Sequence, residues 1–240
     1  MAAMAASRRS EFLDGVRAQL PLLLGVAPFG MAYGAYAIDS GLRADVTQAM
    51  SAVVFAGASQ FVAVQLIATG VPGVMIVLTT LLVNVRHLLY SASVAPHLEH
   101  ASRPWRWLLA YLLTDEAYAT AIGRFGRNAA TPYQHWFLLG SGVALWVTWQ
   151  VTTSAGILLG TAVPESWSLD FALPLSFIAL LVPVLTSRPA LAAAAVAGVV
   201  ATVGFDWPYA LGLVSAMLTG LAGGLVAGRA LGAAGEEAAA

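Results

Sequence analysis

Residues 73–90 read GVMIVLTTLLVNVRHLLY: an apolar run, then Asn84, Val85, Arg86 and His87, then apolar again to Tyr90. A hydrocarbon core of about 30 Å is crossed by about 17–25 apolar residues in a helix, and this stretch has that length. An arginine there costs about 3 kcal/mol on insertion scales unless it is paired or faces a wet cavity. The stretch therefore fixes the fold class and marks the first place to look for function.

The same pattern recurs at 105–122, where Thr114, Asp115 and Glu116 interrupt an apolar run. Of the 240 residues 59% are hydrophobic and only 10% charged, too little polar surface for a soluble domain. A membrane barrel would alternate apolar and polar residues, whereas these runs are apolar all round. The reading is an all-α, polytopic membrane helix bundle of about seven to eight spans. They are expected at 19–37, 46–67, 73–90, 105–122, 136–160, 171–185, 190–203 and 207–227. Trp105, Trp107, Trp136, Trp167 and Trp207 sit at their edges, as rings at the headgroup level do. Residues 1–18 read as a charged cytoplasmic tail, 19–228 as the transmembrane transport domain and 229–240 as a mobile tail. The first run lacks a small-residue cleavage site and reads as a retained span.

All 11 basic residues are arginine, scattered singly, which does not suit nucleic acid. Cysteine is absent, so disulfides and thiolate metal sites are excluded. With eight spans and a cytoplasmic N-terminus, seven arginines lie inside and four outside or buried, which favours that orientation modestly.

A faint internal repeat aligns 55–63 with 171–179 and 23–25 with 138–140, although apolar sequence of low complexity yields such matches by chance as readily. Both longer copies precede Pro/Gly-interrupted segments, the sequence pointer to broken helices at a transporter's centre. The repeats could be parallel or inverted.

Between Phe55 and Phe61 lie Gly57, Ala58, Ser59 and Gln60. Glycine can leave helical geometry cheaply, and Ser and Gln supply donors and acceptors at membrane depth. The segment is either a helix break that binds a polar solute or a close helix contact glued by Ser59 and Gln60. Asn84, Arg86 and Tyr90 share a broad helical face. Arg86 needs an anion, which could be Asp115, Glu116 or a substrate carboxylate. His87, His97 and His100 read as interfacial, because no convergent ligand set accompanies them; no metal or cofactor is expected. Gly30 and Gly34, and again Gly220, Gly223 and Gly224, form small-residue packing faces. No phosphate loop, zinc-protease motif or nucleophile elbow is present, so the chain does not read as an enzyme.

The run 55–61, then Asn84, Arg86 and Tyr90, then Thr114, Asp115 and Glu116, with Pro21, Gly25, Pro28, Phe29 and Gly30 upstream, resembles the AzlC family of branched-chain amino acid permeases. The resemblance covers about residues 15–228. It implies a secondary exporter of Leu, Ile and Val in a bacterial inner membrane, and the large subunit of a pair whose partner is a small AzlD-like membrane protein. Gly57, Ser59, Gln60, Asn84, Arg86, Tyr90, Asp115 and Glu116 take the motif positions. The expected substrate site comprises these residues with Ala58, and Arg86, Asp115 and Glu116 form the coupling ion pair. The rival readings are a channel lined by the same residues and a subunit whose buried charges serve assembly alone.

Overall fold

Ser7 starts the first helix by accepting from the Ser10 amide (3.1 Å) while the Ser10 hydroxyl folds back onto Ser7. The computed structural model describes residues 7–126, 131–160, 185, 187–207 and 211–237, and every regular element among them is a helix. In chain order these are α1 (Arg8–Asp39), α2 (Ala44–Val54), α3 (Gly57–Ala68), α4 (Gly73–Val83) and α5 (Arg86–Val94). A 3₁₀ turn (Ala95–Leu98) leads on to α6 (Arg103–Leu112), α7 (Asp115–Phe125), α8 (Gln134–Gly160), α9 (Arg188–Val203) and α10 (Leu211–Glu237). Four described stretches are long and apolar enough to cross a membrane: Arg8–Asp39, Gly73–Leu98, Gln134–Gly160 and Leu211–Leu231. The expected span 171–185 and the repeat copy at 171–179 lie outside the described residues, save for residue 185.

The chain forms two compact units, one of Met1–Thr69 with Val83–Trp167 and the other of Gly70–Leu82 with Ser168–Ala240. In the first, α1 and α8 pack along their whole length because glycines let the backbones touch. A Cβ at Gly15 would strike the Phe137 carbonyl, one at Gly140 the Phe12 carbonyl, and one at Gly156 the Met31 carbonyl. Gly30 and Gly34 meet Thr152 and Thr153, so the expected small-residue face has α8 as its partner. Phe12 lies against Gly140, Met31 against Gly156 and Ala35 against Gly160, so the two helices run parallel. The alignment of 23–25 with 138–140 thus relates two helices of the same sense.

Residues 8–18, expected as a charged tail, are instead the first three turns of α1. Glu11 is buried there against Arg124, and Gly15 admits α8.

The stretches 46–67 and 105–122, each expected as one continuous span, instead break and double back. α6 runs with α8, from Trp105 beside Trp136 (ring centroids 4.9 Å) to Leu112 beside Gly142. α7 returns, with Thr120 level with Ser141 and Phe125 beside Phe137 (6.3 Å). On the other side α2 descends from Thr47, whose carbonyl accepts from Tyr33 (3.1 Å), to Phe55, which stacks on Tyr111 (5.7 Å). α3 climbs back, with Gly57 facing Phe29 and Phe61 packing on Phe29, Tyr33 and Tyr36. These four helices have 11, 12, 10 and 11 residues. At 1.5 Å per residue each is about 15–18 Å long, half a membrane.

Two residues make each reversal. Phe55 adopts the left-handed conformation (φ 41°) and Ala56 is extended. Leu113 and Thr114 leave helical geometry through ψ angles of 83° and 179°. The hairpin tips meet: Tyr111 Oη donates to the Ala52 carbonyl and accepts from Trp146 Nε1 (2.7 Å).

In the second unit α9 starts at the Ser187 cap and packs on α10 through Gly220, Gly223 and Gly224, which face Ala193, Val196 and Ala197. The helical backbone of α10 continues to Glu237, through most of the tail expected to be mobile from residue 229.

Candidate functional site

At the tip of the α6–α7 hairpin the chain re-enters helix at Asp115, with Thr114 as N-cap and Asp115 and Glu116 in the first turn. Carboxylates suit that position because the amides of a helix start are unpaired and carry partial positive charge. α5 brings its own N-terminal turn alongside. Arg86 Nη2 lies 3.0 Å from Asp115 Oδ2, and Tyr90 Oη donates to Asp115 Oδ1 at 2.6 Å. Of the two carboxylates left open by sequence, Asp115 is therefore the partner of Arg86. Glu116 accepts from Thr114 Oγ1 (3.2 Å). Tyr90 stacks on Tyr118 (4.5 Å), which shares a hydrogen bond with Ser93 (3.1 Å), so α5 and α7 are braced below the ion pair.

The ion pair leaves hydrogen-bonding capacity unused. Asn84 Oδ1, Arg86 Nε and His87 Nε2 are all buried without a partner. An acceptor, a cationic donor and an imidazole nitrogen are thus clustered within four residues of chain. Each such group costs about 1–3 kcal/mol when left unpaired, a cost that stable packing alone does not explain. His87, read as interfacial from sequence, is part of this buried set, with its ring 5.8 Å from Tyr90.

The segment at Gly57–Gln60 has a different character. Gln60 Oε1 accepts from the Ala56 amide (3.2 Å), and Ser59 Oγ donates to the Ala56 carbonyl (2.9 Å). Both side chains are fully buried, and Phe29 and Trp149 close over Gly57. Ala58 lies between them in the first turn of α3. Gln60 Oε1 and Ser59 Oγ serve the start of α3 while Gln60 Nε2 is buried without a partner, and no hydrogen bond or ion pair among the described residues joins Gly57–Gln60 to Arg86, Asp115 or Glu116. Among the described residues the two hairpins meet through the Phe55–Tyr111 ring contact and the Tyr111 hydrogen bond to the Ala52 carbonyl. Phe61, which follows the segment, is buried among Phe29, Tyr33 and Tyr36.

Sequence reading missed two further features. A cavity of about 430 Å³ begins at Ser91 and Leu113, next in chain to Tyr90 and Thr114. Val94, Leu98 and Leu109 wall it, and it reaches Glu99 and Arg106. The other is a set of half-buried polar side chains along α7, among them Thr120 and Arg124, which meet the buried Gln19 and Glu11 of α1. Their signal was the spacing: Glu116, Thr120 and Arg124 recur every four residues, as do Glu11, Gly15 and Gln19.

The family described as AzlC protein matches residues 21–163. The inner membrane protein YgaZ of Escherichia coli (strain K12) is 29% identical over 222 residues, 88% of this chain and 90% of that protein. A membrane protein of Archaeoglobus fulgidus is 26% identical, over 89% of this chain and 94% of its own. The branched-chain amino acid transport protein AzlC of Bacillus subtilis (strain 168) is 25% identical, over 68% and 63% respectively. No solved structure matches.

Proposed function

The chain belongs to the AzlC family of membrane proteins, and from that premise we propose that it is a secondary transporter that exports branched-chain amino acids. The observation that carries the reading is the ion pair Arg86–Asp115 with buried, unpartnered Asn84 Oδ1, Arg86 Nε and His87 Nε2 beside it. A zwitterion can insert between two opposite charges without leaving either one bare. Its carboxylate takes Arg86, for which a guanidinium has donors to spare, and its ammonium takes Asp115 and Asn84 Oδ1. Both charges stay paired before, during and after binding, which keeps the cost of burying them low. The apolar cavity that starts at Leu113 offers room for a branched side chain.

Two half-membrane hairpins whose tips meet give the site a gate on either side, with the broken backbone confined to the protein interior. The segment Gly57–Gln60 then acts as the pivot of the first hairpin. Arg8, Arg9, Arg103, Arg106 and Arg124 lie toward the face that carries the N-terminus, and Arg43 toward the other. That asymmetry supports a cytoplasmic N-terminus in a bacterial inner membrane. We assign the exposed apolar helix faces to lipid and to a small AzlD-like subunit.

The test is valine counterflow in proteoliposomes, with the chain alone and with that partner. A carrier shows trans-stimulation of labelled valine uptake by unlabelled valine inside. A channel shows labelled flux without trans-stimulation, and an assembly subunit shows no flux of its own; either result would overturn the proposal.

A further inference from the structure

Three buried atoms beside the Arg86–Asp115 pair lack a partner, and only His87 Nε2 belongs to a group that readily gains and loses a proton near neutral pH. A zwitterion held by Arg86, Asp115 and Asn84 leaves that atom without a role. Its position gives it one. Asn84 and Val85 lead into α5, and the His87 amide donates to the Asn84 carbonyl (2.9 Å), so the two residues share a turn. Val85 keeps right-handed helical angles (φ −53°, ψ −30°), and helical spacing therefore holds across the junction. On such a helix Asn84 stands about 60° from His87 on one side and Tyr90 about 60° on the other. The His87 and Tyr90 rings are 5.8 Å apart, and Tyr90 Oη holds Asp115 Oδ1 at 2.6 Å. Asn84 Oδ1, His87 Nε2 and the Asp115 carboxylate thus follow one another around a single arc.

An ammonium group has three hydrogens to donate, and this arc holds three groups that can accept them. The imidazole differs from the other two in having two states. Neutral, it can present a lone pair at Nε2; protonated, it presents an N–H there and carries a positive charge. The lone pair therefore takes either a proton or a hydrogen bond from the substrate's ammonium, and the two cations repel each other at that distance. The charged or titratable groups that act on the ring are Arg86 and Tyr90 on α5 and Asp115 on α7. Glu116 lies beyond Asp115 in the chain, with its carboxylate accepting from Thr114.

We propose that His87 Nε2 is the atom at which a proton and the substrate's ammonium group exclude each other, so that one occupies the site only when the other has left. With the site open to one side, water delivers a proton directly to Nε2. With it open to the other, that proton returns to water and the ammonium takes the lone pair. One N–H bond forms and the same bond breaks in each cycle, and one zwitterion moves against one proton. An inward proton gradient then drives the amino acid outward. In the present conformation Nε2 is out of reach of solvent, which keeps the exchange from leaking between openings. The inference rests on the transport reading above and deepens it by naming the coupling ion and the residue that carries it.

The experiment measures proton release on valine binding to the purified full chain in weakly buffered detergent, with the small subunit present if counterflow needs it. An indicator dye reads the release, and valine affinity is followed from about pH 5 to about pH 8. On the acid side the wild type should release about one proton per valine while affinity rises about tenfold per pH unit. On the alkaline side release should cease and affinity level off. His87→Gln does not titrate, so whatever its affinity it should release at most about a tenth of a proton, with affinity flat within about twofold. The chain has four histidines, and replacing His97, His100 and His135 together by Gln leaves His87 alone. That variant should release the proton as the wild type does, which tests the assignment even if His87→Gln does not fold. Release that persists in His87→Gln, or is lost in the triple variant, would overturn the inference. Valine binding without proton release in the wild type would overturn it too, while counterflow in the same protein would leave the transport reading standing. A wild type that neither binds valine nor shows counterflow would sink the transport reading itself, and this inference with it.

Discussion

The two re-entrant hairpins are alike in length and backbone construction and opposite in chemistry. The α2–α3 tip is apolar and closed: Gln60 and Ser59 satisfy its backbone, and Phe29 and Trp149 seal Gly57. The α6–α7 tip is charged and leaves Asn84, Arg86 and His87 atoms beside it without partners. The first tip has its backbone satisfied from within although Gln60 Nε2 lacks a partner, whereas the second gathers three unpartnered atoms beside an ion pair. A single unpartnered polar atom at membrane depth is therefore not in itself a sign of a ligand; a cluster of them beside an ion pair is.

The contrast can be broken most directly at the charged tip. Arg86→Ala removes the cation and leaves the half-exposed Asp115 with the Tyr90 hydroxyl as its remaining partner. Valine counterflow should fall at least about a hundredfold in protein that still reaches the membrane; wild-type rates would remove the role given to Arg86. Gly34→Leu sets a side chain against the Thr153 carbonyl at the α1–α8 contact. It should destabilise by several kcal/mol, on the order of overpacking or more, and would be seen as early thermal aggregation in detergent. Gln60→Met removes the cap on the Ala56 amide at nearly constant volume. A loss of about 1–2 kcal/mol of stability with valine affinity changed less than about threefold would keep the closed hairpin out of the binding surface. A large affinity loss would put it back. The smallest effect is expected from Tyr111→Phe, which loses the hydrogen bonds to the Ala52 carbonyl and Trp146 that join the tips, about 1 kcal/mol in a thermal-shift assay.

How much of this was legible in sequence differs between the same two regions. Composition and run length gave the helical membrane class, and Gly57 beside Phe55 marked a break one or two residues from where it occurs. That the broken stretch turns back was not legible, because 22 apolar residues look the same whether they cross a bilayer once or enter and leave it. The break at Leu113–Thr114 has no Gly or Pro. Its signal was Thr114 followed by two acids, the pattern of a helix start, read there only as charge inside a span. Arg86 was expected to find a carboxylate, but the choice of Asp115 over Glu116 depends on how α7 is rotated against α5, which no local pattern encodes. Burial of residues 8–18 depends on Gly15 and Gly140 meeting across helices more than a hundred residues apart, which lies equally beyond a local reading.

The absence of cysteine allows the hairpins to be mapped on an otherwise unaltered chain. Single cysteines at Gly41 and Gly70 should react with an impermeant maleimide from one side of the membrane, and those at Ser102 and Thr131 from the other. A residue at 70 that reacts from the same side as 102 would mean that 46–67 crosses after all.

The most direct test of the central claim, that the α6–α7 tip holds a zwitterion through Arg86, is equilibrium binding of valine and valinamide to wild type and to Arg86→Gln. Valinamide keeps the ammonium and the side chain but lacks the carboxylate. Wild type should prefer valine by at least about thirtyfold, the scale of a charge-assisted pair, and Arg86→Gln should bind the two within about threefold of each other. A preference for valine that survives intact in Arg86→Gln would contradict the account.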